Sequence, residues 1–318
     1  MNLLITGGSG FIGSNLVKLI LEKKRDSINK LVNLDALTYA GNADNTKQFA
    51  EDDKYFFEHV DLYDTQKLSE VFSKHNITHV IHLAAESHVD NSIKDPDAFI
   101  NSNIVGTFNL LKACRQFSVK RLHHVSTDEV YGTLTEQEGR FTETTPYSPR
   151  NPYSASKAAS DFLVSSYYHT YDLPVTLSNC CNNYGPRQHE EKFIPTIISS
   201  IMGKSKIPLY GDGMNIRDWI YVVDHCEALW EILQKGIVGE TYCVGSSCEK
   251  RNIEIIETIC NLMQVEPSEC IEYVSDRPGH DYRYAIDSSK IEEELQWKPK
   301  TSFVDGIRKT IRWYNERH

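Results

Sequence analysis

Short runs rich in apolar and β-branched residues punctuate the first half of the chain at 2–6, 30–34, 55–60, 78–83 and 119–125, each ending at a small or acidic residue. Runs of this length without a breaker predict strands. Between and after them the spacing turns helical, over 14–23, 101–117 and 154–171. Strands therefore alternate with helices to about residue 178, the order of a doubly wound parallel sheet covered on both faces. From about Asn179 the segments shorten, turns multiply and basic residues scatter. That change predicts a smaller mixed α/β substrate-binding domain over 179–318, with its boundary to the 1–178 domain interdigitated. The tail from Phe303 reads as an amphipathic packing helix with Ile307, Ile311 and Tyr314 on one side.

The first strand runs into Gly7-Gly8-Ser9-Gly10-Phe11-Ile12-Gly13, which opens the first helix. Glycines at 7, 10 and 13 permit a tight turn, close approach of backbone to a pyrophosphate, and close packing of helix on strand. The amides at the helix N-terminus then face the phosphates. Asp35 ends the second strand about 20 residues on, where an acid suits the adenosine ribose of NAD and repels the 2′-phosphate of NADP. The expectation is a Rossmann-type fold with NAD as cofactor. Asp61, ending the third strand, is either an adenine contact or an ordinary strand-end cap. After the fourth strand, Ala84 and Ala85 are small enough for the backbone to pass under the cofactor.

Composition narrows the partners. The 318 residues carry a net charge of -10, which argues against general binding to nucleic acid or a membrane surface. No apolar run reaches membrane-spanning length. A strand beginning at Asn2 leaves no room for a signal peptide, so the cytoplasm is the expected location. None of the eight cysteines forms a C-x-x-C, and no His/Cys group has zinc-ligand spacing. We expect reduced thiols, no disulfide and no metal.

The densest chemistry is Ser126-Thr127-Asp128-Glu129 at the end of the fifth strand, together with Tyr153 and Lys157. Ligands of open α/β sheets bind where strands end. Adjacent carboxylates raise each other's pKa, which suits a pair in which one holds a proton and its neighbour takes one. Tyr153 and Lys157, four apart, share a helix face. An ammonium beside a phenol is expected to pull its pKa from about 10 toward neutrality, making Tyr153 a base.

The glycine loop, the Tyr153/Lys157 pair and the upstream Ser/Thr resemble the extended short-chain dehydrogenases/reductases. Within them STDEVYG at 126–132 is similar to the nucleoside-diphosphate-glucose 4,6-dehydratases, whereas related 4-epimerases tend to lack the paired acids. The similarity continues through DALTYAGN at 35–42, LAAESHVD at 83–90, NNYGPRQ at 182–188, EKFIP at 191–195, PLYGDGMNIRDWIYVVDHC at 208–226 and DRPGHDYRYAID at 276–287. It implies that Tyr153 takes the sugar C4 hydroxyl proton while hydride leaves C4 for NAD, and that Thr127 bonds the C4 oxygen. Glu129 would then remove the C5 hydrogen and protonated Asp128 would donate to the departing C6 hydroxyl. Hydride returned to C6 completes a 4-keto-6-deoxy sugar.

The resemblance also implies cofactor contacts from Gly7, Gly10, Phe11, Ile12, Gly13, Asp35, Ala36, Leu37, Thr38, Asp61, Leu62, Leu83, Ala84, Ala85, Ser87, Ser102, Tyr153, Lys157 and Asn183. The sugar nucleotide would meet Ser87, Thr127, Asn182, Lys192, Phe193 and Asn252, with Pro208, Leu209 and Tyr210 lining the base. Arg217 is the first choice for the diphosphate, since a guanidinium fork matches phosphate oxygens. Asp276, Arg277 and His280 would close over the diphosphate and nucleoside; Arg277 reads equally as a surface charge and His280 as a structural hydrogen-bonding residue. Thymidine and uridine differ at this level by one methyl contact, worth only about 1–3 kcal/mol. Members of the family pair as homodimers through a four-helix bundle, here the helices over 101–117 and around Lys157. Departures from the family pattern are Asn91, Arg187 and Glu190, none of them a catalytic group.

Overall fold

A computed structural model describes residues 1–276 and 281–316. Its strands are β1 (Asn2–Thr6), β2 (Lys30–Asp35), β3 (Tyr55–His59), β4 (His79–His82), β5 (Arg121–Thr127), β6 (Val175–Cys180), β7 (Asn182–Tyr184), β8 (Ile207–Tyr210), β9 (Ile216–Tyr221), β10 (Thr241–Val244), β11 (Glu249–Arg251) and β12 (Ile271–Val274). Seven of them form one parallel sheet in the order β10-β6-β5-β4-β1-β2-β3. The order reverses direction beside β1, leaving a crevice at the carboxyl ends of β1 and β4, the usual place for a ligand in such sheets. Strand β10 comes from the second half of the chain, so the large sheet is completed only after the chain has left it once.

Side chains alternate between two cores. Leu4, Val32, Val80, Leu122 and Val175 pack on one face, and Leu3, Ile5, Leu31, Ile81 and Val125 on the other. Burial on both faces explains why these strands read as apolar runs and not as a strict alternation. A third core, with Tyr184, Ile194, Ile197, Trp219, Ile255 and Ile259, sits under the smaller sheet β11-β9-β7. The tail helix Phe303–Asn315 buries Ile307 and Tyr314 there, with Ile311 partly covered.

Two local expectations are corrected. The fifth strand starts at Arg121 and continues through Thr127, so Ser126 and Thr127 pair with Asn179 and Cys180 inside the sheet. The helix expected over 101–117 is interrupted at its start by a π-helical turn, Ile100–Gly106, before the α-helix Thr107–Gln116. The turn places Asn103 where its side chain accepts from Glu86 N (2.8 Å) and donates to Glu86 O (3.0 Å) and Ser156 Oγ (2.8 Å). Widened turns of this kind gather at functional sites, and this one ties the loop after β4 to the helix that carries Tyr153. The cysteines carry free thiols, most of them buried. No described helix is long and apolar enough to cross a membrane.

Candidate active site

The crevice is a cleft of about 580 Å³, within the range of small-molecule sites. Gly7 turns the chain out of β1 at φ +72, and a Cβ there would lie 2.8 Å from Ala84 N. A Cβ on Gly13 would collide with the Gly7 carbonyl, whereas one on Gly10 would meet only that oxygen, at 3.4 Å, and otherwise project into open space. The loop thus presents bare backbone, and the amides of the helix Phe11–Lys23, to whatever fills the cleft. Asp35 is buried at the end of β2 and accepts from Ser9 N and Leu37 N, both at 2.8 Å. Burial raises its pKa and those two bonds oppose the rise. This donor and acceptor set fits a dinucleotide whose ribose meets an acid.

Every cofactor residue expected from the resemblance lines this cleft except Leu37, which adopts a left-handed conformation (φ 52) and gives its amide to Asp35. The cleft also takes Tyr39, His189, Glu191, Trp313 and Tyr314. The ring of Tyr39 meets that of His189 edge-on at 5.8 Å, and the Tyr314 hydroxyl donates to Gln188 O at 2.6 Å. The tail helix therefore reaches the site as well as packing the core. No local pattern at residues 313 and 314 could have disclosed that.

At the end of β5 the chain turns through a 3₁₀ helix, Asp128–Tyr131, capped by Thr127, whose hydroxyl oxygen accepts from Glu129 N at 3.3 Å. Asp128 is 2% exposed, and its Oδ2 has no hydrogen-bond partner among the described residues. Burial, then Glu129 and Asp218, push its pKa well up, with Arg217 opposing. Burial beside a second carboxyl thus favours the protonated form of Asp128.

Tyr153 departs from expectation. The helix Pro152–Tyr171 starts with Asn151 and Ser154 in a capping box and Pro152 in its first turn, which places Tyr153 and Lys157 in the cleft. Yet the Lys157 ammonium donates to the Val125 carbonyl at 2.9 Å. The Tyr153 pKa is raised well above 10, first by burial and then by Glu129, and a hydrogen bond with Thr127 opposes the rise without reversing it. The expected lowering by lysine is corrected: four-residue spacing selects a helix face, not the partner of the ammonium. Burial lowers the pKa of Lys157 itself, and Asp161 is the largest influence opposing that fall.

A second cavity of about 130 Å³ adjoins the first. Glu129 and Asn182 line both, so the acidic turn faces the cleft on one side and this cavity on the other. Arg217 lines the cavity from β9, buried at 6% exposure, with its guanidinium 4.2 Å from the centre of the Tyr284 ring. It donates to Ile216 O (2.7 Å), Tyr282 O (3.2 Å) and Asp281 O (2.8 Å). Arg150 reaches the same space and pairs with Asp281 at 3.1 Å. Asn182 Oδ1 is buried without a hydrogen-bond partner among the described residues.

The other expected substrate residues divide. Ser87, Thr127 and Lys192 line the cleft, and the Lys192 ammonium donates to Ser87 O at 3.1 Å. Phe193 heads the helix Phe193–Met202 and packs 6.4 Å from Trp219. The Leu209 side chain is buried in the third core, so only its backbone is available to meet a base. Pro208, exposed Tyr210, Asn252 and Asp276 line neither cavity; Asn252 heads the helix Asn252–Met263 and donates its amide to Asn215 O at 3.0 Å. Arg277 and His280 lie outside the described residues. Sequence reasoning missed Arg150 and Tyr284, which carry no motif of their own, although Tyr284 falls within the stretch 276–287 already matched by similarity. It also missed Asp161, which the spacing from Lys157 could have found.

A doubly wound sheet with a glycine-loop crevice, and a Thr-Tyr-Lys set at its edge, defines a short-chain dehydrogenase/reductase of the extended type. Residues 4–310 match the family model described as GDP-mannose 4,6 dehydratase, and the chain belongs to that family. It is 48% identical to dTDP-glucose 4,6-dehydratase of Neisseria gonorrhoeae, covering 98% of this chain and 95% of that protein. Identity is also 48% to dTDP-glucose 4,6-dehydratase 1 of Escherichia coli K12, over 99% of this chain and 92% of the relative. The crystal structure of DesIV, a dTDP-glucose 4,6-dehydratase from Streptomyces venezuelae with NAD and TYD bound, superposes with a TM-score of 0.96. It is 42% identical, covering 99% of this chain and 97% of that one.

Proposed function

We propose that the protein is an NAD-dependent lyase that converts dTDP-glucose to dTDP-4-keto-6-deoxyglucose and water. The carrying observation is the buried acid Asp128 beside Glu129, on the turn that joins the cleft to the small cavity and faces Tyr153. Reversible hydride storage alone, as in an epimerase, needs no such pair. Elimination of water needs a base at C5 and an acid at C6.

Backbone of the glycine loop and the Asp35 carboxylate would hold NAD. When bound it supplies a hydride acceptor and donor and, while oxidised, a positive charge in the cleft. That charge opposes burial and Glu129, the two influences that keep the Tyr153 phenol protonated. With its own proton released to solvent, the Tyr153 phenolate would accept the proton of the C4 hydroxyl as the C4 hydrogen leaves with its electron pair for the oxidised cofactor, Thr127 bonding the C4 oxygen. The resulting ketone acidifies the C5 hydrogen, which Glu129 removes. Asp128 gives its proton to the C6 hydroxyl, and water leaves across C5–C6; return of the stored hydride to C6 and of the proton held by Glu129 to C5 would complete the 4-keto-6-deoxy sugar. Arg217 and Asn182 line the cavity on the sugar side, where the guanidinium would meet the diphosphate and the amide oxygen a hydroxyl.

The names of the similar proteins support the thymidine nucleotide. Homodimer formation is supported by Phe108, Phe162 and Tyr171, exposed apolar side chains on the segments the family uses for its bundle. Free, mostly buried thiols suit a reducing cytoplasm. Incubation with dTDP-glucose and UDP-glucose, followed by mass spectrometry, tests the reading: a dTDP-sugar product lighter by one water is expected. Epimerised sugar of unchanged mass, or turnover of UDP-glucose alone, would refute it.

A further inference from the structure

Below Lys157, one helical turn on, lies a carboxylate that the reaction as derived does not use. Asp161 is 2% exposed. Its Oδ2 accepts from Ser126 Oγ (2.7 Å) and Tyr147 OH (3.0 Å), and its Oδ1 from the Nε2–H of His124 (3.0 Å). An Asn179 side-chain hydrogen bond adds to these. A carboxylate met by this many donors is held as the anion, and a buried anion demands a counter-charge.

We propose that Asp161 is a positioning residue for Lys157, supplying the buried counter-charge that keeps the lysine an ammonium and leaves it pointed at the Val125 carbonyl. Both side chains are buried one turn apart on the helix Pro152–Tyr171, and Val125, whose carbonyl takes the ammonium, adjoins Ser126, whose hydroxyl donates to Asp161. The two charges act on each other across this network and not as a direct ion pair. His82 on β4, 5.2 Å from the His124 ring, and His124 itself on β5 are both held neutral by burial. Cys180 on β6 is kept a thiol, its pKa pushed up to about 12, and Tyr147, ahead of the helix, stays a phenol. Among the described residues Asp161 is therefore the anion at neutral pH that opposes the effect of burial on Lys157. Burial also brings Asp161 itself up to about 6, so the counter-charge fades on the acid side of neutrality.

The inference rests on the dehydratase reading for its kinetic consequence but not for its physical test. That test is an NMR titration of the NAD-loaded protein with lysines labelled at Cε, the Lys157 signal being identified by its loss in Lys157→Met. In Asp161→Asn the Lys157 midpoint is expected to fall by about 1–3 units. The alkaline limb of kcat/KM for water loss should move down with it. Tyr147→Phe leaves the carboxylate but removes one donor. It should move the acid-side step sensed by the Lys157 signal upward while leaving the lysine midpoint in place. An unmoved Lys157 midpoint in Asp161→Asn, or a uniform loss of rate with unshifted limbs, overturns the proposal. Should Asp161→Asn fail to fold, an unmoved acid-side step in Tyr147→Phe overturns it instead. Absence of dehydration by the wild type would sink the functional reading and leave the titration to decide on Asp161.

Discussion

Replacing Glu129 by Gln should have two opposed effects, because the carboxylate acts on two atoms. It is the proposed base at C5, and after burial it is the largest influence holding the Tyr153 phenol protonated. Loss of a positioned base slows proton transfer by roughly 10²–10⁴-fold, so formation of the 4-keto-6-deoxy product should fall by that factor. A neighbouring unit charge shifts a pKa by about 1–3 units, or ~1.4–4 kcal/mol, and removing a negative one lowers the phenol. The acid limb of the first half-reaction should therefore move down by that amount, and oxidation at C4 should be faster than wild type at low pH. Stopped-flow absorbance of the reduced nicotinamide in single turnover reads oxidation, and mass loss of water reads elimination. Sugar-nucleotide binding, measured by calorimetry, should be nearly unchanged. The reasoning is refuted if the limb of the oxidation step stays in place. It is refuted equally if elimination survives within about tenfold, or if the variant simply loses its substrate.

Asp128→Asn keeps the shape and removes the proton, so elimination should drop by ~10²–10⁴-fold. Because the folded pKa of Asp128 is raised, its contribution to stability is full below the unfolded value of about 4 and is lost as pH climbs through the folded value. Melting temperatures against pH should consequently fall less steeply above pH ~4 in the variant than in the wild type, and parallel curves would count against a buried neutral acid. Gly13→Ala puts a methyl group onto the Gly7 carbonyl. NAD binding should be lost together with ~1–3 kcal/mol of stability, as denaturant melts would show. Phe162→Arg changes an exposed side chain and should alter monomer stability by no more than ~0.5 kcal/mol. Light scattering should nevertheless report a halved mass, and an intact dimer would displace the interface from this face.

Residue types and their intervals along the chain carried the parallel sheet, the glycine loop, Asp35 and the acid pair, because each obeys a local rule. Apolar runs bury on both faces, small residues permit close approach, and the carboxyl end of a strand delivers its next residues to the ligand crevice. Neighbours in sequence could not say where charges finish. Lys157 shares a helix face with Tyr153, yet its ammonium is taken by a carbonyl on β5. Leu209, read as a base contact, turns its side chain into the core, while Tyr314 from the tail and Arg150 from a loop arrive at cavities assembled from remote segments. Only folding sets the dielectric around Tyr153 and Asp128. The same phenol and carboxyl would titrate normally in water, and it is exclusion of water by packed strands, with Glu129 brought alongside, that drives both upward.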